Sequence, residues 1–318
     1  MMVLRLLNLF SISITESKRA LNLKTLAVVV THNRLELLRR CIQSLRNQTK
    51  PVDEILIINN DSSDGTETFL ENEDITFITQ GNSGSSGGWN TGIQFALENK
   101  FDACWLMDDD GFPSKNAYEE LCKNFKDEES CLSSVVLKEN VTNEFVFPLP
   151  ILNSALNPAL FLFPRKIFSL KSNKLSGLAK YPFVHLFNGS LIRCSSIERI
   201  GNVNTNFFMM GDEVDFFYRL RNVGKVNSLL SAHHYHPDVT ARPYSKTKIY
   251  YLIKNTIILH NKYFDKPLLR NIGLIPVILV RILRRNGLLF FLKALFFNGI
   301  IIRSLAAGIR GKIKKDNL

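Results

Sequence analysis

Three adjacent carboxylates stand directly after a short apolar run in this chain of 318 residues. Asp108, Asp109 and Asp110 follow residues 103–107 and precede a Gly-Phe-Pro turn. Neighbouring carboxylates repel one another, so the cluster predicts a neutralising cation or solvent. If the strand continues, Asp108 and Asp110 point the same way and Asp109 points away. Two hard oxygen ligands beside a phosphate are what Mg²⁺ or Mn²⁺ needs, although a solvated acidic turn also fits.

A second acidic group, Asp212, Glu213 and Asp215, also follows apolar residues and stands where a helix is predicted to begin. Acids at this position could be no more than a helix cap with favourable dipole contacts. Further along, three of the six histidines fall within residues 233–236. A lone histidine is more often structural, but a cluster after two acidic groups favours a metal ligand or a phosphate contact.

Polar or glycine-rich loops occupy the ends of three earlier apolar runs. Residues 31–34 read Thr-His-Asn-Arg, residues 59–61 read Asn-Asn-Asp, and residues 81–88 contain four glycines. The glycine spacing is neither GxGxxG nor a P-loop. Close approach of the backbone to a ligand explains the missing side chains better than a linker does. The asparagines could cap a helix or could hydrogen-bond a base or a ribose.

The elements that position these loops alternate between strand and helix. Apolar runs predict strands, and apolar residues at helical spacing predict the helices between them. Such alternation predicts an α/β fold with a mostly parallel sheet, helices on both faces and all the loops at one edge. Residues 130–181 contain interrupting prolines and predict irregular structure that shapes an acceptor cleft. The predicted strands cover residues 26–30, 54–58, 75–79, 103–107 and 183–193, and the predicted helices cover 35–47, 89–99 and 250–259.

The net charge of +11 is concentrated at the end of the chain. Residues 266–318 carry eleven Lys or Arg and one acid, so the rest of the chain is almost neutral. This distribution argues against nucleic acid as a partner. Basic residues interleaved with Leu, Ile and Phe, without an apolar run of about 20 residues, favour helices that lie on an anionic membrane surface over a spanning segment. A basic helical hairpin packed on the core is the alternative.

The cysteines indicate the compartment, and the changes in sequence character along the chain indicate the domains. Five scattered cysteines without a CxxC pair argue against a disulfide framework or a zinc site and fit a reducing compartment. We expect an N-terminal extension at residues 1–23, a catalytic domain at 24–240 and a helical, amphipathic, membrane-associating region at 241–318. The extension, which is apolar at first, either packs on the core or lies on a membrane.

Taken together, these motifs resemble the inverting nucleotide-sugar glycosyltransferases of family 2, which have the GT-A fold with its Rossmann-like, mostly parallel sheet. The four loop motifs match the family in order and spacing between about residues 24 and 237. Residues 87–90, 211–216 and the Tyr-Tyr-x-x-Lys-Asn of residues 250–255 resemble its galactofuranosyl- and rhamnosyltransferase branch.

The resemblance implies roles for individual residues. Asp110 would ligate Mn²⁺ or Mg²⁺ together with His236 or, because the spacing is about one residue short, with His234. Asp108 would help to hold the ribose and the diphosphate and could share the metal. Glu213 would be the general base, with Asp212 beside it, although the branch usually has Asp at that position. The nucleotide-sugar contacts expected are Thr31, Arg34, Asn60, Asn82, Asn90, Asp108 and Asp109.

The resemblance therefore predicts a metal-dependent hexosyltransferase that moves galactofuranose from UDP-galactofuranose to a glycan or a lipid-linked glycan in surface polysaccharide synthesis. The basic and apolar C-terminal region adds the expectation of a cytoplasmic enzyme, peripheral on the inner face of the cell membrane. Rhamnosyl transfer from dTDP-rhamnose is the alternative within the branch. A non-catalytic nucleotide-sugar-binding protein and a nicotinamide-dependent dehydrogenase are the alternatives from other classes. The missing GxGxxG argues against the dehydrogenase.

Overall fold

The structure of the chain is a computed structural model that describes residues 23–141, 143–160, 164–238, 243–297, 299–314 and 316. The expected N-terminal extension lies outside this part of the chain except for Leu23. The strands are β1 (Thr25–Thr31), β2 (Glu54–Asn60), β3 (Thr76–Gln80), β4 (Ala103–Asp108), β5 (Phe112–Pro113), β6 (Glu129–Lys138), β7 (Glu144–Pro150), β8 (Lys166–Ser169), β9 (Lys180–Tyr181), β10 (Asn188–Arg193) and β11 (Lys225–His236). The α-helices are α1 (Leu35–Arg46), α2 (Thr66–Glu71), α3 (Gly84–Glu98), α4 (Ala117–Asn124), α5 (Cys194–Ile200), α6 (Asp212–Arg221), α7 (Lys246–Tyr263), α8 (Pro267–Asn286), α9 (Leu288–Leu292) and α10 (Ile300–Arg310).

One large sheet organises the molecule. Its strand order is β3-β2-β1-β4-β10-β6-β11-β5. In addition, β7 pairs with β6, and β9 pairs with β11. The first four strands are mutually parallel, whereas β10 runs antiparallel between β4 and β6. β6 and β11 are parallel to each other. The predicted α/β fold with a mostly parallel sheet is therefore confirmed, with one reversed strand in its middle.

Alternating side chains of β1 divide the core into two halves. Val28 and Val30 belong to an apolar cluster with residues of α3, α5 and α6. Val29 belongs to a second cluster with residues of α1 and α4. Because successive side chains of a strand point to opposite faces, a strand buried on both sides needs helices on both faces. This arrangement confirms the predicted layering.

The glycine-rich segment is helical, which corrects the predicted loop. Helix α3 begins at Gly84, five residues before the predicted start at residue 89. A Cβ at Gly88 would lie 2.6 Å from a Val30 methyl group, and one at Gly92 would lie 2.4 Å from a Val28 methyl group. These two glycines therefore allow α3 to pack closely on β1, rather than to approach a ligand.

Residues 130–181 are more regular than their prolines predict. They contain most of β6 and the whole of β7, β8 and β9. Pro148 and Pro150 lie in β7, which has one pairing position with β6 and three with β8. A strand with so few ladder hydrogen bonds can include residues that lack an N–H donor. The expectation of wholly irregular structure was wrong for this reason.

The C-terminal helices pack on α7 and form an apolar cluster of their own with Phe208, Met209 and Met210. Within the described residues, no single helix is long and apolar enough to cross a membrane. Residues 288–297 and 300–310 meet that test of length and composition only jointly, as a pair bent by 57°. Twelve of the sixteen exposed large apolar side chains in the described part of the chain lie between residues 268 and 309.

Candidate active site

The polar loops meet at one edge of the sheet, as parallel strands require. The strand register pairs Thr31 with Asn59 and Asn60 with Gln80, and Asp108 ends the neighbouring strand β4. This edge is formed by the carboxyl ends of β1 to β4. In open α/β sheets, ligands bind outside this edge.

Asp109 is held by the protein itself. Its carboxylate accepts a hydrogen bond of 2.7 Å from the Thr31 hydroxyl and one of 2.9 Å from Arg34. Thr31 is 1% exposed and Asp109 is 3% exposed. Burial raises the pKa of Asp109, and the Arg34 guanidinium opposes that rise. The structure therefore places Thr31 and Asp109 behind the surface of the site, where they fix the acid triplet and Arg34.

Asp110 lies between a cation and a histidine. One carboxylate oxygen is 2.9 Å from Nη1 of Arg34, and the other is 3.1 Å from Nε2 of His236. The Nδ1 of His236 lies 2.7 Å from the Pro237 carbonyl oxygen, which can only accept a hydrogen bond. In a neutral imidazole this contact places the proton on Nδ1 and directs the Nε2 lone pair at the carboxylate.

Two acceptors at 3.1 Å need a proton or a cation between them. About 3 Å is also the separation of adjacent ligands on one six-coordinate divalent ion. Within the described residues no three His, Cys, Asp or Glu side chains group into a metal site. Asp110 and His236 therefore fit a divalent ion that takes its other ligands from a diphosphate and water, as Mg²⁺ commonly does.

Asp108 lies at this edge in surroundings that disfavour its ionised form. Burial raises its pKa well above the ordinary value, and the Asp110 and Asp109 carboxylates raise it further. Such a group ionises fully only when positive charge arrives nearby. The predicted need for a neutralising partner thus has a physical basis in the position of Asp108.

His234 lies on the same strand as His236 but is not at bonding distance from an acid. Neither ring nitrogen of His234 has a hydrogen-bond partner in the described part of the chain. The ring fills the space beside Gly111 and Gly189, where an added Cβ would lie 2.2 Å and 3.1 Å from its nitrogens. Burial lowers the pKa of His234 to about 3, so it is neutral. The structure brings His236, and not His234, to Asp110.

The second acidic group begins α6. Gly211, with a φ of 110°, turns the chain into this helix, and the Asp212 carboxylate accepts a hydrogen bond of 3.3 Å from Ser85. Burial raises the pKa of Asp212 to about 6. Asp215 instead forms ion pairs of 2.8 Å with Arg219 and Lys262, which makes it a structural residue.

Glu213 faces the mouth of the site, with 38% of its side chain exposed. Its carboxylate lies 3.8 Å from Nδ1 of His185, which precedes β10. Burial and the neighbouring Asp212 raise the pKa of Glu213 to about 8. His185 could not be recognised from the sequence, since a single histidine inside an apolar run is no signal of a site.

The ring of Phe147 connects the two halves of the site. Its centroid lies 5.3 Å from that of His185 and 5.3 Å from that of His236. Phe147 belongs to β7, in the region predicted to shape the acceptor cleft. Phe147 thus lies between His185, which faces Glu213, and His236, which faces Asp110.

Three asparagines predicted to contact the nucleotide make hydrogen bonds within the protein. Asn60 donates to the Gly84 carbonyl at 3.0 Å, and Asn82 accepts from the Gly84 N–H at 3.0 Å, so both fix the start of α3. Asn90 donates to the Val203 carbonyl at 3.1 Å. Of the three, only Asn82 is exposed, at the sheet edge. Asn60 is buried and Asn90 is half-buried, and each hydrogen-bonds a backbone carbonyl.

A sequence model of the family described as "Glycosyl transferase family 2" matches residues 26–187, half of the chain. Galactofuranosyltransferase GlfT1 of Mycolicibacterium smegmatis is 27% identical over 66% of this chain and 70% of its own length. The low-salt glycan biosynthesis hexosyltransferase Agl10 of Haloferax volcanii is 28% identical over 71% of this chain and 73% of its own.

Solved glycosyltransferase structures share the fold. A crystal structure of GalNAc-T7 with UDP, GalNAc and Mn²⁺ superposes with a TM-score of 0.58 at 13% identity; the match covers 87% of this chain and 57% of that one. The mannosyltransferase PcManGT of Pyrobaculum calidifontis, in complex with GDP-Man and Mn²⁺, gives 0.52 at 11% identity over 92% of this chain and 88% of that one. The sheet, the strand-end motifs and the family match lead to one conclusion: the chain belongs to glycosyltransferase family 2 and is a glycosyltransferase with a GT-A fold.

Proposed function

We propose that this glycosyltransferase is an inverting, divalent-metal-dependent galactofuranosyltransferase that uses UDP-galactofuranose. The structural observation that carries the metal dependence is the 3.1 Å approach of Asp110 to His236. The adjacent Asp108, whose pKa is raised by burial and by its acidic neighbours, would be stabilised as a carboxylate by a cation there. The donor sugar rests on the relatives named galactofuranosyltransferase, which share 27% of their residues with the chain.

In this proposal Asp110 and His236 hold Mn²⁺ or Mg²⁺, and Asp108 lies beside the ribose and the diphosphate. When bound, the ion supplies Lewis-acid neutralisation of the leaving diphosphate. Arg34, with 42% of its side chain exposed, adds a fixed positive charge beside Asp110. Asp109 and Thr31 keep this guanidinium in place.

Glu213 is the proposed general base. It removes the proton of an acceptor hydroxyl as that oxygen bonds to the anomeric carbon and the bond from that carbon to the diphosphate breaks. Attack opposite the leaving group inverts the anomeric centre. The transition state has oxocarbenium character, as in other glycosyl chemistry. Asp212, which is bonded to Ser85 and less exposed, is the second candidate for the base.

The acceptor is proposed to be a glycan or a lipid-linked glycan in surface polysaccharide synthesis, presented at the cytoplasmic leaflet. Residues 24–240 form the catalytic domain in this proposal, and residues 241–318 attach the enzyme to the membrane surface. On α8 the exposed residues Leu268, Ile272 and Val280 recur at helical spacing, and exposed Arg281 and Arg284 follow. An apolar stripe that ends in arginines fits the interface of an anionic bilayer.

A donor panel tests the proposal on the full chain. UDP-galactofuranose, UDP-galactopyranose and dTDP-rhamnose are compared for release of nucleoside diphosphate, with Mn²⁺ and with EDTA, and the anomeric configuration of the product is read by NMR. We expect turnover with UDP-galactofuranose and Mn²⁺ and an inverted product. Preference for dTDP-rhamnose would move the enzyme to the rhamnosyl branch, and donor binding without turnover would favour a binding protein.

A further inference from the structure

His185 faces Glu213, a half-buried acid of α6 for which the described residues show no ion pair with Lys or Arg. Its Nδ1 is 3.8 Å from the Glu213 carboxylate, slightly beyond hydrogen-bond length. Catalytic hydrogen bonds are often long in the absence of substrates and shorten in the complex. The pair is therefore within reach of a direct hydrogen bond.

Aromatic packing fixes the orientation of the His185 ring. The Phe183 ring meets it edge-on, with 5.1 Å between centroids, and Phe147 packs at 5.3 Å. Phe183 packs in turn on Phe217 of α6, the helix that carries Glu213. A ring held from two sides keeps one nitrogen directed at the carboxylate and loses little entropy when a hydrogen bond forms.

The imidazole acts here as a neutral group. Burial and nearby Lys166 lower the pKa of His185 to about 4, although the backbone carbonyls of Phe147 and Pro148 favour a protonated ring and oppose this shift. Its Nε2 has no hydrogen-bond partner among the described residues. The neutral tautomer with the proton on Nδ1 can donate to Glu213. The other titratable groups near the pair are Asp212 on α6 and His236 beyond Phe147.

We propose that His185 is the positioning residue of the general base, donating a hydrogen bond from Nδ1 to one oxygen of Glu213 so that the other oxygen faces the acceptor hydroxyl. This inference rests on the proposed function, in which Glu213 is the base. During transfer the acceptor proton moves to the free oxygen of Glu213, and His185 keeps its own proton. A donor to the ionised carboxylate also favours the basic form of Glu213.

Replacement of His185 by Leu and by Asn tests the proposal on the full chain. H185L removes the donor, whereas H185N retains an amide N–H near the position of Nδ1. In H185L we expect kcat/KM to fall about 10- to 100-fold, the effect of one hydrogen bond to a charged group. The acidic limb of its pH profile should move upward by about one pH unit. H185N should recover most of both effects.

Two controls separate this inference from the proposed function. H260L replaces a buried histidine on α7 that is hydrogen-bonded to Asn271, and it should leave the pH limb in place. Donor affinity, measured by calorimetry with UDP and Mn²⁺, should be the same in H185L and the unmodified enzyme. If E213Q is inactive while H185L keeps the normal rate and pH limb, the positioning role is overturned. If E213Q itself transfers sugar at a near-normal rate, Glu213 is not the general base, and the proposed function is then wrong at that residue.

Discussion

Arg34 and Asp110 form an ion pair of 2.9 Å in which the guanidinium takes one carboxylate oxygen, while the other oxygen faces His236. The same guanidinium nitrogen lies 2.9 Å from Asp109. The two neighbouring acids thus share a cation, but only Asp110 also faces a histidine. This asymmetry predicts different consequences for the loss of each acid.

Asp110→Asn is expected to abolish metal-dependent donor binding, because it removes the charged oxygen beside His236. Asp109→Asn should keep the metal response and lower the melting temperature by a few degrees, since it weakens the buried contact with Arg34. The measurement is the shift in melting temperature on adding UDP, with Mn²⁺ and with EDTA. Equal losses of the Mn²⁺-dependent shift in the two variants would contradict the geometry.

Glu213→Gln is expected to bind the donor normally and to lose turnover by about 10²- to 10⁴-fold, the usual contribution of a general base. The amide keeps the size of the side chain and cannot take a proton. Sugar transfer is measured under single-turnover conditions beside calorimetric donor binding. Asp212→Asn is the matched variant, and a greater loss of transfer in it would reassign the base to Asp212.

The raised pKa of Glu213 predicts a pH-dependent loss of stability. In the unfolded chain this carboxyl ionises near its ordinary pKa of 4.5, whereas desolvation and the neighbouring Asp212 raise its pKa in the folded protein to about 8. The folded state therefore binds more protons between these values, and its stability falls as the pH rises through that window. Glu213→Gln should remove this contribution. We expect the difference in melting temperature between E213Q and the unmodified protein to grow in favour of E213Q from pH 5 to pH 8; a constant difference would refute it.

Membrane attachment should have two separable components. Replacing Arg281 and Arg284 by Gln is expected to weaken binding to anionic liposomes about 30-fold, at about 1 kcal/mol per basic residue, and mainly at low salt. Replacing Phe296 and Phe297, which are 69% and 84% exposed, by Ser should remove binding that persists in high salt. Liposome sedimentation at a low and a high salt concentration measures the electrostatic and the apolar component separately. A variant that combines all four replacements should no longer sediment with the liposomes. If it sediments as completely as the unmodified chain, this face does not attach the enzyme.

Lys254 is expected to be a point of weakness in the C-terminal region. It is 1% exposed, and its ammonium group pairs with Asp316 and donates to the Lys314 carbonyl at 2.9 Å. Asp316→Ala leaves a buried charge without its counter-ion, which typically costs about 3–5 kcal/mol. Adding Lys254→Met to that variant should recover most of the loss in the free energy of unfolding, as measured with urea. A double variant as unstable as Asp316→Ala alone would mean that Lys254 does not depend on this pair.

The parallel strands and the edge at which the motifs meet could be predicted from the sequence because both follow from local patterns. Apolar runs fixed β1, β2 and β4, and parallel strands place their carboxyl ends together. The antiparallel insertion of β10 could not be predicted, since it depends on pairing across about 80 residues with β4.

The sequence identifies the motifs of the site more directly than it identifies what each residue in them contacts. Asp110 and His236 meet although 126 positions separate them in the sequence. Asn60 and Asn90, by contrast, are polar residues near a site that are used to hold backbone carbonyls. Sequence patterns cannot separate these two uses, because both call for the same amide. His185 was missed since its partner is brought near by tertiary packing alone.

The contact between α3 and β1 sets a limit for protein engineering. A library that randomises residues 81–92 to accept another sugar should leave Gly88 and Gly92 unchanged, because a Cβ at either position would clash with a valine of β1. Gly81, by contrast, has nothing within 4 Å of its would-be Cβ and has a φ that imposes no strain. The same limit applies to Gly84 and Gly87, where an added Cβ would lie 2.2 Å from the Phe208 carbonyl oxygen and 2.0 Å from the Ser83 hydroxyl. A useful library therefore varies position 81 and keeps these four glycines.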